Sequence, residues 1–297
     1  MRGPRWEVEG RDWPNRAASR FVTVGRLRWH VQIFASDLGS EAPVLLLLHG
    51  TGAATHSWRT LAPLLAQQFT VVAPDLPGHG FTAGRPVGGL TMPAMARSIA
   101  ELLRSMKLEP QAIVGHSAGA AIAIRMVLDG LAKPKTIVGL DAALLPFPGL
   151  ASRLFPALAK ALFVNPLVPH IFARIARTPG EIGRFLERST GSRIEPAGID
   201  CYERLFATPG HCAGAIGMMA DWDLAAFERD LPSLTIPLRL LHGTADSAIP
   251  PANARAAAGR VVDGKLVPLE GLGHLAHEER PEQVAEMIAQ FVWEGQS

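Results

Sequence analysis

Five short segments of this chain carry residue types that can do chemistry together, and one is sharper than the rest. Gly115-His116-Ser117-Ala118-Gly119 is a G-x-S-x-G pattern that follows the apolar run Ala112 to Val114 and opens the small-residue run Ala118 to Leu128. A strand that turns into a helix over such a pentapeptide holds its serine on a strained elbow. The flanking glycines are needed because a Cβ there would collide with neighbouring chain. Ala120, Ala121 and Ala123 keep the helix face small enough to pack closely on a sheet. A serine hydroxyl is a poor nucleophile near neutral pH, so it requires a base, and the base requires an orienting carboxylate.

Chain order directs the search for these partners, because on such an elbow the acid and then the histidine follow the serine, on loops after late strands. His242-Gly243-Thr244-Ala245-Asp246 follows the apolar run Leu238 to Leu241, which makes Asp246 the preferred acid. Gly271-Leu272-Gly273-His274 follows a strand ending at Leu269, which makes His274 the preferred base. Asp141, at the end of the apolar run Thr136 to Leu140, competes as acid, and His277 competes as base. The oxyanion formed on attack needs two convergent backbone N–H donors, each worth roughly 3 to 4 kcal/mol when lost. Ala118, directly after the serine, supplies one. The loop His49-Gly50-Thr51-Gly52 supplies the other, with Thr51 preferred and Gly52 second, while His49 reads as a structural partner of that loop.

These residues need a scaffold, and the hydrophobic pattern describes it. Leu27 to Phe34 alternates apolar and polar, as a half-buried strand near a sheet edge does. Pro43 to Leu48 is continuously apolar, as a strand covered on both faces of a parallel sheet must be. A helix (60–67), a strand (69–73), a turn (75–80), a helix (92–106), a strand (112–114), a helix (118–128) and a strand (136–140) follow. The expected fold is therefore α/β, a mostly parallel central sheet flanked by helices with right-handed βαβ crossovers. After Leu144 the rhythm breaks into prolines and leucines. It resumes as a strand (237–242), a helix (252–258), a strand (265–269) and a helix (281–293). The expected organisation is a core formed by residues 1–143 and 231–297 with a helical cap inserted at 144–230.

Between Asp141 and Glu181 the chain has no acidic residue, yet Arg153, Lys160, Arg174 and Arg177 stand among Leu, Phe and Pro. Leu150, Leu154, Leu158 and Leu162 recur every four residues, so one helical face packs on the active site or on something apolar, and Pro156 starts or kinks the helix. Two readings stay open: a cap over a hydrophobic pocket, or a surface for a membrane or for an apolar anion. His116, Met218, Met219 and Trp222 are candidate pocket residues, with core packing the alternative for the last three.

Composition narrows the classes further. The 297 residues are 48% hydrophobic and 19% charged, which excludes disorder and coiled coil. The 29 basic against 27 acidic residues produce no field that would gather nucleic acid. Two cysteines, Cys201 and Cys212, are too few for a disulfide network or a thiolate zinc site. No His/Asp/Glu group has metal-site spacing, and no glycine-rich phosphate loop occurs, so no cofactor is expected. Residues 1–20 lack the apolar core of a secretory signal, and no apolar run approaches the ~18 residues of a membrane span, which makes a cytoplasmic location the expectation.

Taken together, HGTG (49–52), DLPGHG (75–80), GHSAG (115–119), HGTAD (242–246) and GLGH (271–274) resemble the α/β-hydrolase superfamily from about residue 20 to residue 293. Within it, RDWPNRAASRFV (11–22), HGTGAATHSW (49–58), GLDAALLPF (139–147) and GHLAHEERPE (273–282) look like the BchO-type magnesium-chelatase accessory proteins of bacteriochlorophyll biosynthesis. The resemblance implies a cofactor-free serine hydrolase of an ester or related acyl bond, whose apolar substrate is a simple ester or a tetrapyrrole. It equally implies a tetrapyrrole-binding accessory protein without turnover, with magnesium chelatase as partner. A carbon-carbon bond hydrolase with the same triad is a third reading. The dehalogenases and epoxide hydrolases of the superfamily use an aspartate nucleophile, which Ser117 argues against.

Overall fold

The computed structural model describes residues 1–146 and 165–294. Eight strands form one sheet in the order β1-β2-β4-β3-β5-β6-β7-β8: β1 (Ser19–Val24), β2 (Leu27–Phe34), β3 (Val44–Leu48), β4 (Thr70–Pro74), β5 (Pro110–His116), β6 (Thr136–Leu140), β7 (Leu238–Gly243) and β8 (Gly264–Leu269). From β4 to β8 every pairing is parallel, while β2 runs antiparallel to both β1 and β4. The sheet is thus the mostly parallel one that the apolar runs require.

Period-two alternation divides the strands between two cores. Leu46, Leu48, Val72, Ile113, Ile137 and Leu240 point to one face, where α2 (Met92–Ser105), α3 (Ala118–Leu128) and α9 (Pro251–Ala258) pack. Leu45, Leu47, Val71, Val114, Val138 and Leu241 point to the other, under α1 (Leu61–Ala66) and α11 (Pro281–Glu294). Burial of both faces is why β3 reads as an unbroken apolar run.

Strand β1 has no counterpart among the sequence expectations. It forms a hairpin with β2 through Gly25-Arg26, with Gly25 at φ +58 and Val24 opposite Leu27. A Gly-Arg turn after the β-branched run Val22-Thr23-Val24 was the available signal. β2 also departs from the half-buried expectation, since His30 and Gln32 on its polar side are buried. Gln32 donates to the Pro14 carbonyl at 2.6 Å, so residues of the N-terminal segment cover that side.

Between β6 and β7 the described residues carry five helices: α4 (Val168–Ile175), α5 (Glu181–Thr190), α6 (Pro196–Phe206), α7 (Pro209–Asp221) and α8 (Leu224–Asp230). Leu150, Arg153, Leu154, Pro156, Leu158, Lys160 and Leu162 lie outside the described residues. No helix among the described residues is long and apolar enough to cross a membrane.

Candidate active site

Ser117 sits between the last residue of β5 and the first of α3 at φ 50, ψ −115, a conformation that side chains disfavour. The packing explains why the chain turns so sharply. A Cβ on Gly115 would run into the backbone of Ala120, and one on Gly119 into the carbonyl oxygen of Leu48. Helix α3 therefore descends directly onto β3 and β5, and the expected role of both glycines is the observed one. The turn is secured from the sheet by the Ser117 N–H, which donates to the Leu140 carbonyl at 2.9 Å.

The loop after β3 lies against this elbow. A Cβ on Gly50 would stand 2.7 Å from His116 Nδ1 and 3.1 Å from Ser117 Cβ. His49 holds the loop: one ring nitrogen donates to the Gly50 carbonyl (2.8 Å) and the other accepts the Leu76 N–H (2.9 Å). That pattern needs a neutral imidazole, and burial lowers the His49 pKa to about 4. Gly52 has φ +79, and its carbonyl accepts from His211 Nε2 at 3.0 Å. The Thr51 hydroxyl turns to Met218 Sδ, 3.7 Å away. Ala118 opens α3, where backbone N–H groups have no acceptor within the helix.

On the far side of the elbow, His116 Nε2 donates to the His274 carbonyl at 2.9 Å, and the two rings are 4.8 Å apart. His116 thereby ties the serine turn to the histidine loop. His274 Nδ1 meets Asp246 Oδ2 at 2.8 Å, while Asp246 Oδ1 accepts the N–H groups of Ala248 (2.7 Å) and Ile249 (2.9 Å). Asp141 does not make this contact, since its Oδ1 accepts the Gly243 N–H at 2.7 Å. His277 is buried beside Trp58 and His116, with neither ring nitrogen hydrogen-bonded. Burial, with the charges of His274 and Arg59, lowers its pKa to about 3.

Polar atoms of Asp141, Asp246 and His274 lie within 4.8 Å of one another, close enough to share a cation. However, both oxygens of Asp246 are already committed to N–H donors. Asp246 thus fixes the orientation of the His274 imidazole through Nδ1.

Three supports escaped the sequence reading. The end of α5 grips the histidine loop: the His274 N–H donates to the Thr190 carbonyl (2.8 Å) and the Leu275 N–H to Ser192 Oγ (2.8 Å). Ser192 Oγ in turn donates to Glu279, which also accepts the Gly273 N–H. Asp75 is a second hub, binding His30 Nδ1 (2.7 Å) and the N–H groups of Thr55 (2.7 Å) and Phe81 (2.8 Å). His211 is the third, joining Gly80 to Gly52. Nothing local marks Thr190, Ser192 or His211; Asp75 stood in a recognised motif.

The expected pocket side chains differ in their surroundings. Met218 is fully buried in the sheet core, Met219 is half exposed, and the Trp222 indole donates to the Leu90 carbonyl at 3.0 Å. A cavity of about 540 Å³ does border α7, but the helix turns its small residues to it. Gly78, Arg85, Leu90, Gly214, Gly217 and Asp221 contribute to a wall that includes neither Ser117 nor His274 among the described residues.

A profile of the alpha/beta hydrolase family matches residues 45–287, a span that contains the elbow and both supporting loops. The chain belongs to the alpha/beta hydrolase family. Its sequence is 36% identical over 283 residues to the magnesium-chelatase 30 kDa subunit of Rhodobacter capsulatus, covering 95% of this chain and 96% of that protein. It is 29% identical over 276 residues to a soluble epoxide hydrolase of Corynebacterium sp. (strain C12), covering 85% and 91%. The fold matches a thermophilic esterase from Thermogutta terrifontis with TM-score 0.73 and 22% identity, over 94% of this alpha/beta hydrolase and all of that one.

Proposed function

We propose that this chain is a serine hydrolase of an ester or related acyl bond in an apolar substrate, with residues 1–143 and 231–297 as catalytic core and 144–230 as cap. The observation that carries the reading is the 2.8 Å contact of His274 Nδ1 with Asp246, on a loop bonded to the residue before the strained Ser117. In this reading Ser117 Oγ attacks the acyl carbon and His274 takes its proton. Asp246 holds the imidazole and offsets the imidazolium charge, and the N–H groups of Ala118 and Thr51, with Gly52 as alternative, receive the oxyanion. His274 then protonates the departing alcohol, and water repeats the sequence on the acyl-enzyme. A fluorophosphonate labels wild type at Ser117, and Ser117→Ala abolishes both label and p-nitrophenyl esterase turnover, by roughly 10⁶ in kcat. Wild type that resists the label when folded would refute it.

The relative named as a magnesium-chelatase subunit supports a second reading, in which the cap binds a tetrapyrrole and brings it to magnesium chelatase. The described cap suits an apolar, anionic ligand or a membrane surface: Leu167, Ile171, Phe172 and Ile175 are each about half exposed or more beside Arg174 and Arg177. Under this reading protoporphyrin binds saturably at micromolar concentration by its Soret band, more weakly in the Arg174→Ala, Arg177→Ala double variant. No saturable binding would leave a generic lipophilic ester as the substrate.

A further inference from the structure

A second carboxyl stands beside the His274–Asp246 pair. Asp141 ends the turn from β6 at φ +45, an uncommon conformation for a side-chain-bearing residue, and is completely buried. Its backbone N–H donates to the Leu241 carbonyl (2.9 Å) and its Oδ1 accepts the Gly243 N–H (2.7 Å), so the side chain is clamped onto the end of β7. Its Oδ2 is buried without a hydrogen-bond partner.

The groups that face Asp141 come from three directions. From β7, His242 Nδ1 lies 3.6 Å from Oδ1, itself buried and unpartnered. His242 Nε2 donates to the Ile249 carbonyl at 3.0 Å, which leaves Nδ1 of the neutral ring as a bare acceptor. From the loops come Asp246 and His274, with polar atoms within 4.8 Å. From α10 (Ala276–Glu279) come the charge of Glu279, which opposes ionisation, and the Ala276 N–H, which favours it. Two buried carboxyls this close do not both ionise, and the one with more donors keeps the charge. Asp246 has two backbone N–H groups and the imidazole, whereas Asp141 is met by the Gly243 N–H and, less closely, the Ala276 N–H. Burial, then the charge of Asp246, accordingly raises the Asp141 pKa well above the usual carboxylate range.

We propose that Asp141 is a reserve carboxyl for His274: neutral while Asp246 is ionised, and able to carry the charge opposite the imidazole when Asp246 cannot. The inference rests on the triad reading given above. When Asp246 is uncharged, Asp141 releases its proton to solvent, and its carboxylate, already within 4.8 Å of the other two groups, stabilises the imidazolium formed as His274 takes the serine proton. Asp141 acts through His274 and is a positioning residue. The charge is thus assigned by the number of N–H donors each carboxyl receives.

The test compares wild type, Asp141→Asn, Asp246→Asn and the double variant, since asparagine retains the acceptor for the Gly243 N–H. Esterase kcat/KM is measured from pH 5 to 9, with the His274 imidazole titration followed by NMR and assigned by its loss in His274→Ala. Removing Asp141 costs at least tenfold more in the Asp246→Asn background than in wild type. In Asp246→Asn the rate rises with pH as Asp141 loses its proton, and this rise is missing from the double variant. The His274 pKa is higher in Asp246→Asn than in the double variant. A purely structural Asp141 would cost the same factor in both backgrounds, and coincident His274 titrations in the last two proteins would overturn the proposal. The NMR comparison decides it even where wild type neither labels nor turns over, an outcome that removes the hydrolase reading separately.

Discussion

Replacing Ser117 by alanine and, separately, by glycine removes the hydroxyl in both proteins but removes the Cβ in only one. The difference between the two variants isolates the backbone strain at φ 50, ψ −115. A residue held in such a region costs of order 1–3 kcal/mol. At an unstrained position the comparison runs the other way, because glycine gains unfolded-state freedom and loses about 0.4–1 kcal/mol to alanine. The two terms oppose, and the larger one wins: the glycine variant is expected to exceed the alanine variant by roughly 1–2 kcal/mol. The side chain is only partly buried, so packing lost with the Cβ does not reverse the sign. Urea unfolding followed by tryptophan fluorescence measures the gap as a higher midpoint at unchanged slope, and a thermal scan shows it as a few degrees in Tm. A glycine variant no more stable than the alanine variant would refute the claim that the elbow is strained.

Two further outcomes follow from the packing. Burial lowers the pKa of His79, His211 and His277 to about 3 and that of His49 to about 4, against 6.5 in the unfolded chain. Between pH 6.5 and about 4 the unfolded chain therefore binds more protons than the folded one, and each such histidine removes about 1.4 kcal/mol of stability per pH unit of acidification; melts at pH 7.5, 6.5 and 5.5 should show a steepening fall in Tm, and an unchanged Tm down to pH 5 would contradict this. Gly119→Ala drives a Cβ into the Leu48 and His49 carbonyls, so β3 must move, at about 3 kcal/mol, whereas Gly3→Ala meets open space and leaves the urea midpoint alone; equal midpoints for the two variants would show that the elbow can relax.

Where an element's cause lies within a few residues, the chain announced it. The apolar run of β3 and the small-residue face of α3 are local patterns, and the structure reproduces α3 at Ala118–Leu128 and β6 at Thr136–Leu140 as read. The glycines around Ser117 were legible for the same reason: a sharp turn limits which side chains fit, whatever the rest of the fold does. His30 and Gln32 misled because their polar types pointed to solvent, whereas Asp75 and Pro14, distant in sequence, supply their hydrogen bonds and permit burial. The same distance hid Thr190 and Ser192, which hold the His274 loop from a helix more than 80 residues earlier. Asp141 and Asp246 look alike locally, each following a buried strand of the same sheet. Chain order favoured Asp246, and the fold shows the physical difference: the loop after β7 presents two N–H groups to Asp246 and the loop after β8 an imidazole, while Asp141 is clamped to Gly243. Hydrogen-bond donors gathered from distant segments set a carboxyl's charge, and a linear pattern does not record which segments converge.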